Sequence, residues 1–366
     1  MSERDQSGMG ADESALGAIN RPLRALPVEF GDVPNIHVLP VEFGDVPNIH
    51  VLPVGADLSR PAPIHRPSAA HSEIDLTNIR ELRNLLYAHN MRPNKSFGQN
   101  FLVDRAVLQQ IVEAAQLAPD DTVLEVGAGM GVLTRELAKW ARRVVAVELE
   151  RDMLELLEET IRGFTNVELV ARNLLYLDPS EVFGREPYKL VANLPYYITA
   201  PTFRHFLEST NPPRLLVVMV QYEVAQRIVA EPGDLSLLGV SVQFYGRPEI
   251  IARVPASAFY PTPKVDSAIL RINVYDQESA PRKALSQKER DTFFRVVQAG
   301  FSEKRKQLHN SLARGLHCKD EKVKELLSAV NIDASRRAET LSIEEWLDIA
   351  KELDQQKLCY HIHNKI

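Results

Sequence analysis

The sequence predicts an α/β protein built on a mostly parallel sheet, and three observations carry that prediction. Short apolar runs of strand length alternate with helical patterns: Thr122-Val123-Leu124-Glu125-Val126, Val144-Val145-Ala146-Val147, Val167-Glu168-Leu169-Val170 and Lys189-Leu190-Val191-Ala192. The first run passes into its helix through a glycine-rich turn, Gly127-Ala128-Gly129-Met130-Gly131. The next three lead to polar residues, Glu148, Asn173 and Asn193, at the carboxyl strand ends where open parallel sheets bind ligands.

At 366 residues, 45% hydrophobic and 25% charged, the chain has room for two domains and has the composition of an ordinary soluble protein. It shows no apolar run of membrane-spanning length and no basic-then-apolar leader. Cys318 and Cys359, its two cysteines, have no metal-ligand spacing, so neither a disulfide framework nor a metal is expected and a reducing cytoplasm is the default. The net charge of −6 argues weakly against a nucleic-acid partner, but its distribution matters more.

Residues 1–73 read as a disordered, proline-interrupted tail in which Leu26–Val38 (LPVEFGDVPNIHV) recurs unchanged as Leu39–Val51. Duplication without divergence fits a segment that tolerates insertion, so the tail is expected to be dispensable. Order begins at Asp75-Leu76-Thr77-Asn78, a capping stretch before the helical pattern Ile79, Leu82, Leu85, Leu86. A polar and aromatic loop, Lys95 to Asp104, precedes a helix over Ala106–Ala115. Loops carry ligands more often than helices do, which makes Asn100 and Leu102 candidates for the edge of a cofactor pocket; taken alone, the stretch reads as an N-cap.

The glycine turn is GxGxG, and Val132 stands where a dinucleotide fingerprint needs its last glycine. Gly127 and Gly129 let the backbone approach a ligand closely without a pyrophosphate to neutralise, which fits the amino-acid moiety of S-adenosylmethionine. No GxxxxGK[ST] occurs, so ATP hydrolysis is disfavoured. Glu148, about twenty residues beyond the turn, is placed to accept both ribose hydroxyls of a nucleoside, and Asn173 to meet its adenine edge.

At the fourth strand end, Asn193-Leu194-Pro195-Tyr196 offers an amide, a stiff turn and an aromatic face to a flat amino-bearing ring. The lone pair of an exocyclic amine such as adenine N6 is delocalised into the ring. Acceptors at the Asn193 side-chain oxygen and the Leu194 carbonyl would each take an N–H and draw the nitrogen toward tetrahedral geometry, with Tyr196 stacked on the base. The competing reading is a turn that ends a strand, with Tyr196 in the core.

Downstream, Thr199–Glu208 and Val224–Val229 read as helices and Leu215–Val220 as a buried strand. Val240–Tyr245 and Ser267–Asn273 read as strands flanking a Phe259 loop, completing a seven-stranded mixed sheet. Pro255, Pro261 and Pro263 stiffen that loop and favour Phe259 as a preformed stacking surface, against the alternative of a core plug. From Arg282 to Arg314 basic residues dominate; Lys304-Arg305-Lys306 beside Asn310 is the cluster best suited to an RNA backbone, and residues 282–352 read as a small helical domain with an acidic far side.

Six stretches in this order give the chain from about 76 to 315 a specific resemblance: SFGQNFLVD (96–104), VLEVGAGMG (123–131), VAVEL (145–149), NLPY (193–196), VQYEVAQR (220–227) and FYPTPKVDS (259–267). It resembles the ribosomal RNA adenine dimethyltransferase family. That resemblance implies a Rossmann-like class I methyltransferase sheet over 74–276, with Asn100, Leu102, Gly127, Glu148, Asn173 and Asn193 lining an S-adenosylmethionine site and Tyr196 and Phe259 sandwiching the target adenine. It further implies a monomer that dimethylates two adjacent adenosines in a hairpin near the 3′ end of 16S rRNA within the immature small subunit. Two positions depart from the family: Asn173 replaces its usual Asp, and Tyr222 stands where Lys is frequent. A large-subunit rRNA dimethyltransferase of the macrolide-resistance type, an rRNA-binding assembly factor and a DNA adenine methyltransferase remain as alternatives.

Overall fold

The computed structural model describes residues 51–52, 74–93, 98–276 and 285–356. Most of the expected tail, Lys95-Ser96-Phe97, and Arg282 and Lys283 of the basic stretch lie outside the described residues.

The chain enters with β1 (Val51–Leu52) and α1 (Ile79–Ala88), whose Asn78 cap accepts from the Arg80 amide at 3.0 Å and whose Leu82, Leu85 and Leu86 face the core. There follow β2 (Phe101–Leu102), α2 (Arg105–Ala114), β3 (Thr122–Val126), α3 (Val132–Ala138), β4 (Arg143–Glu148), α4 (Arg151–Thr160) and β5 (Val167–Ala171). The sheet continues through α5 (Pro179–Phe183), β6 (Lys189–Asn193), α6 (Thr199–Leu207), β7 (Leu215–Gln221), α7 (Tyr222–Val229) and α8 (Leu237–Tyr245). Then come β8 (Gly246–Val254), β9 (Phe259–Tyr260), β10 (Ser267–Val274) and four helices: α9 (Gln287–Phe301), α10 (Leu308–Gly315), α11 (Asp320–Ala329) and α12 (Ile343–Gln355).

The main sheet runs β1-β5-β4-β3-β6-β7-β10-β8. The five strands from β5 to β7 are parallel; β10 is antiparallel to both β7 and β8. This is the expected seven-stranded mixed sheet, with β1 as an unforeseen antiparallel addition beside β5. Buried on both faces, its strands alternate between two cores. Val123 and Val191 point into the layer under α2 and α3, whereas Leu124, Leu190 and Ala192 point into the layer that includes Phe203 and Phe206 of α6. A separate two-stranded ribbon pairs Leu102 with Phe259 and Phe101 with Tyr260, tying the loop before α2 to the loop before β10.

Val240–Tyr245 is helix and not strand, and the outer hairpin is built by β8 and β10 instead. The cause is double burial. Val240 and Phe244 enter the C-terminal core while Val242 enters the sheet core, so α8 is apolar on two sides and its residues alternate in the manner of a strand. The hydroxyl of Ser236 caps it, accepting from the Gly239 amide at 3.0 Å. The helical region docks on α8 through Phe244 stacked on Phe293 at 4.4 Å between ring centroids. Cys318 is disulfide-bonded, contrary to the reading of the cysteines from sequence.

Candidate active site

Four parallel strands deliver their carboxyl ends to one edge, and the glycine turn is the floor of what they enclose. Gly127, Gly129 and Gly131 have φ of +71°, +56° and +86°, backbone that favours glycine over any residue with a side chain. A methyl group placed on Gly127 would stand 3.8 Å from Pro195 Cδ, and one on Gly129 would stand 3.8 Å from Phe101 Cε1. The Asn193-to-Tyr196 turn therefore lies directly against the glycine turn. A methyl on Gly98 would meet Tyr197 at 3.8 Å and Pro195 at 3.9 Å, so the loop containing Asn100 closes the same crevice from above.

Glu148, at the end of β4, is buried and held by three backbone amides: Gly129 N donates to Oε2 at 2.8 Å, and Leu149 N and Glu150 N donate to Oε1 at 2.7 and 3.0 Å. Its carboxylate is thus fixed to the glycine turn, with lone pairs left for a diol. Glu150 receives Gln99 Nε2 at 2.8 Å, and burial, partly offset by that bond, raises its carboxyl above the ordinary range. Asn173 lies one strand over, beyond the Arg172 amide that donates to the Glu148 carbonyl at 3.0 Å. Its Oδ1 accepts from Leu175 N at 3.0 Å, which ties the side chain to the turn that follows β5.

Asn193 donates from Nδ2 to the Asn100 carbonyl at 3.3 Å, and Asn100 donates from its own Nδ2 to the Gly98 carbonyl at 2.9 Å. That bond fixes the orientation of the Asn193 amide and leaves its Oδ1 as an acceptor. Leu194 is 2% exposed and anchors the turn in the core. Tyr196 is half-buried, its hydroxyl 2.8 Å from Ser267 Oγ. Burial pushes its phenol up, the Ser267 bond pulls it back, and the nearby Asp266 carboxylate adds to the rise. Ser267 is fully buried at the head of β10, so the ring is hinged on the sheet.

The structure brings Asn100, Gly127, Gly129, Glu148, Leu194 and Asn193 together. Leu102 approaches through the ribbon, its side chain packed in the core beside Phe259. Phe259 is 3% exposed and does not offer the open, preformed surface expected from its prolines, because pairing with Leu102 turns its ring into the core below the sheet. Lys304, Arg305, Lys306 and Asn310 are all exposed, in the turn from α9 to α10 and at the start of α10. Among the described residues no group of three His, Cys, Asp or Glu side chains is placed to hold a metal.

Two site residues escaped sequence reasoning. Ser267 closes a quoted motif but carried no assigned role. Glu125, the fourth of the five residues of β3, is 2% exposed, with its Oε2 buried and without a hydrogen-bond partner. Burial raises its carboxyl from 4.5 to about 8; the Thr134 hydroxyl opposes this and Glu148 adds to it. The signal was a lone charge inside the otherwise apolar strand Thr122–Val126.

A parallel sheet with a GxGxG turn, an acidic residue ending its second strand and an Asn-Leu-Pro-Tyr turn against the glycines defines a class I methyltransferase fold. A profile of the ribosomal RNA adenine dimethylase family matches residues 90–355, and the chain belongs to that family: it is an rRNA adenine dimethyltransferase. It is 46% identical over 269 residues to the ribosomal RNA small subunit methyltransferase A of Dehalococcoides mccartyi, covering 73% of this chain and 90% of that one. The protein of the same name from Alkaliphilus metalliredigens is 41% identical over 272 residues, covering 72% and 93%. Of solved structures, the 23S rRNA methyltransferase ErmE superposes with a TM-score of 0.55 at 30% identity, covering 70% of this chain and 100% of that one. A dimethyladenosine transferase from Plasmodium falciparum gives 0.60 at 24% identity, covering 70% and 98%.

Proposed function

We propose that the chain uses S-adenosylmethionine to dimethylate N6 of two adjacent adenosines in a hairpin near the 3′ end of 16S rRNA, acting as a cytoplasmic monomer on the immature small subunit. The observation that carries this reading is the contact of the Asn193-to-Tyr196 turn with Gly127, which puts the amine-recognising residues beside the turn suited to the cofactor. The cradle fits the cofactor: glycines leave room for its amino-acid end, Glu148 is fixed for its ribose and Asn173 stands at the adjoining strand end.

S-adenosylmethionine supplies a methyl group activated by its sulfonium. Asn193 Oδ1 and the Leu194 carbonyl accept the two N6 hydrogens, which localises the nitrogen lone pair for in-line attack. No strong base is required, because the N6 proton becomes acidic once the new bond forms and leaves to water. Tyr196, hinged at Ser267, takes one face of the extruded base. The monomethylated amine keeps one N–H for a second cycle.

Small-subunit specificity is supported by the relatives at 41–46% identity that carry a small-subunit name, against 30% for the 23S enzyme. The test is radiolabelled methyl transfer to unmethylated small subunits, naked rRNA and DNA in parallel. Label in the two adjacent adenosines of small-subunit RNA is expected; label confined to large-subunit RNA or DNA would refute the assignment.

A further inference from the structure

Beside the Tyr196–Ser267 hinge lies a cleft of about 380 Å³ lined by Gln221, Tyr222, Arg253, Lys264 and Asp266. It adjoins the hinge through the sheet itself, since Ser267 pairs with Gln221 of β7 on one side and with Val254 of β8 on the other. The Arg253 guanidinium carbon stands 4.6 Å from the centre of the Tyr222 ring. Asp266 holds that guanidinium from the side, accepting from Arg253 Nε at 2.9 Å while its other oxygen accepts from the Ala256 amide at 3.0 Å. The Tyr222 amide donates to the Asp266 carbonyl at 3.0 Å, which fixes ring and carboxylate relative to one another. The Arg253 side chain nonetheless remains 62% exposed. A planar cation is therefore backed by an aromatic ring, oriented by a carboxylate and open to solvent.

Lys264 is exposed at the same cleft and has no ion-pair partner among the described residues. The other acid at the rim, Glu223, is paired with Arg227 of its own helix at 2.5 Å. The cleft thus presents Arg253 and Lys264 against Asp266, a net positive wall next to the position assigned to the target base.

We propose that this cleft binds the single-stranded RNA adjoining the reacting adenosine, one unpaired flanking base stacking on the Tyr222-backed guanidinium of Arg253 and its phosphate meeting Lys264. Guanidinium planes stack unpaired bases, and lysine meets phosphate as a point charge. Holding the neighbouring nucleotide keeps the extruded adenosine from returning to its loop. The inference rests on the functional reading above and adds the residues that grip the strand.

The test uses the full chain with small-subunit rRNA, measuring methyl transfer against RNA concentration at several salt concentrations, and cofactor affinity by calorimetry. Lys264→Gln is expected to raise the KM for RNA severalfold and to flatten its salt dependence by about one unit of slope. Arg253→Lys keeps the charge and loses the plane; it is expected to raise KM on the order of tenfold with little change in salt slope. Both should leave cofactor affinity at the wild-type value, and Lys264→Arg should restore KM. Variants that keep the wild-type KM and salt slope, in an enzyme that does methylate the RNA, overturn the inference while the functional reading stands. A wild-type chain that methylates no rRNA overturns both.

Discussion

Asn193 shows what a single side chain contributes. Its Nδ2 is committed to the Asn100 carbonyl at 3.3 Å, so in the proposed mechanism its oxygen is the acceptor offered to substrate. Asn193→Ala is expected to lower methyl transfer by at least about 10²-fold, the usual effect of deleting one oriented hydrogen-bonding group at a reacting centre, while cofactor affinity stays near wild type; turnover and calorimetry on the same preparation separate the two. Glu125 makes a prediction about stability. Its carboxyl titrates at about 8 in the folded chain and ordinarily at 4.5. Between those values the unfolded chain releases the proton and the folded chain keeps it, so stability falls as pH rises through that window and levels off above about 8. Glu125→Gln keeps the shape of the protonated form without titrating. At pH 8 it should exceed wild type in stability by up to a few kcal/mol, with little difference near pH 4, as read by denaturant melts at both values. The placement of Glu148, Asn173 and Asn193 at or just beyond the carboxyl ends of parallel strands was legible in the sequence from the apolar runs that precede them. The Asn100–Asn193 bond spans 93 residues, and no local pattern encodes such a contact.

Elements were legible wherever one pattern meant one environment. Strands β3, β4, β5, β6 and β7 fall where apolar runs placed them, and α2, α6 and α7 follow within two residues at each end. Helix α8 was misread because a segment packed between two cores loses the polar face that distinguishes a helix from a strand. A strained fit marks where two helices meet: a methyl on Gly300 of α9 would stand 2.3 Å from Trp346 Cη2 of α12, and Trp346 is fully buried. Gly300 has an ordinary helical backbone, so the glycine is required by space and not by conformation. Gly300→Ala should gain slightly in helix propensity yet lose roughly 1–3 kcal/mol to overpacking. A chemical-denaturation midpoint lower than wild type is the expected reading, and an unchanged midpoint would mean that α12 shifts freely.

For the whole molecule, charge is divided between regions that the net value of −6 conceals. The Lys304-Arg305-Lys306 turn is exposed between α9 and α10, while the crevice that holds the reacting groups is lined by backbone, amides and buried carboxylates. On the proposed function, this turn adds a second polyanion-binding surface to the cleft beside the reacting crevice, and the two regions are joined through the core that α8 shares with α9. Phosphate contacts supply salt-dependent affinity, and each neutralised phosphate contributes nearly one unit to the slope of log affinity against log salt. Replacing Lys304, Arg305 and Lys306 together by glutamine should flatten that slope by about two to three units and weaken RNA binding most at low salt. Saturating RNA should restore turnover, because the crevice is untouched. If the triple variant kept the wild-type slope, the turn would be a solvated loop and the RNA would approach by another face; if turnover stayed low at saturating RNA, the turn would be orienting the substrate as well as attracting it.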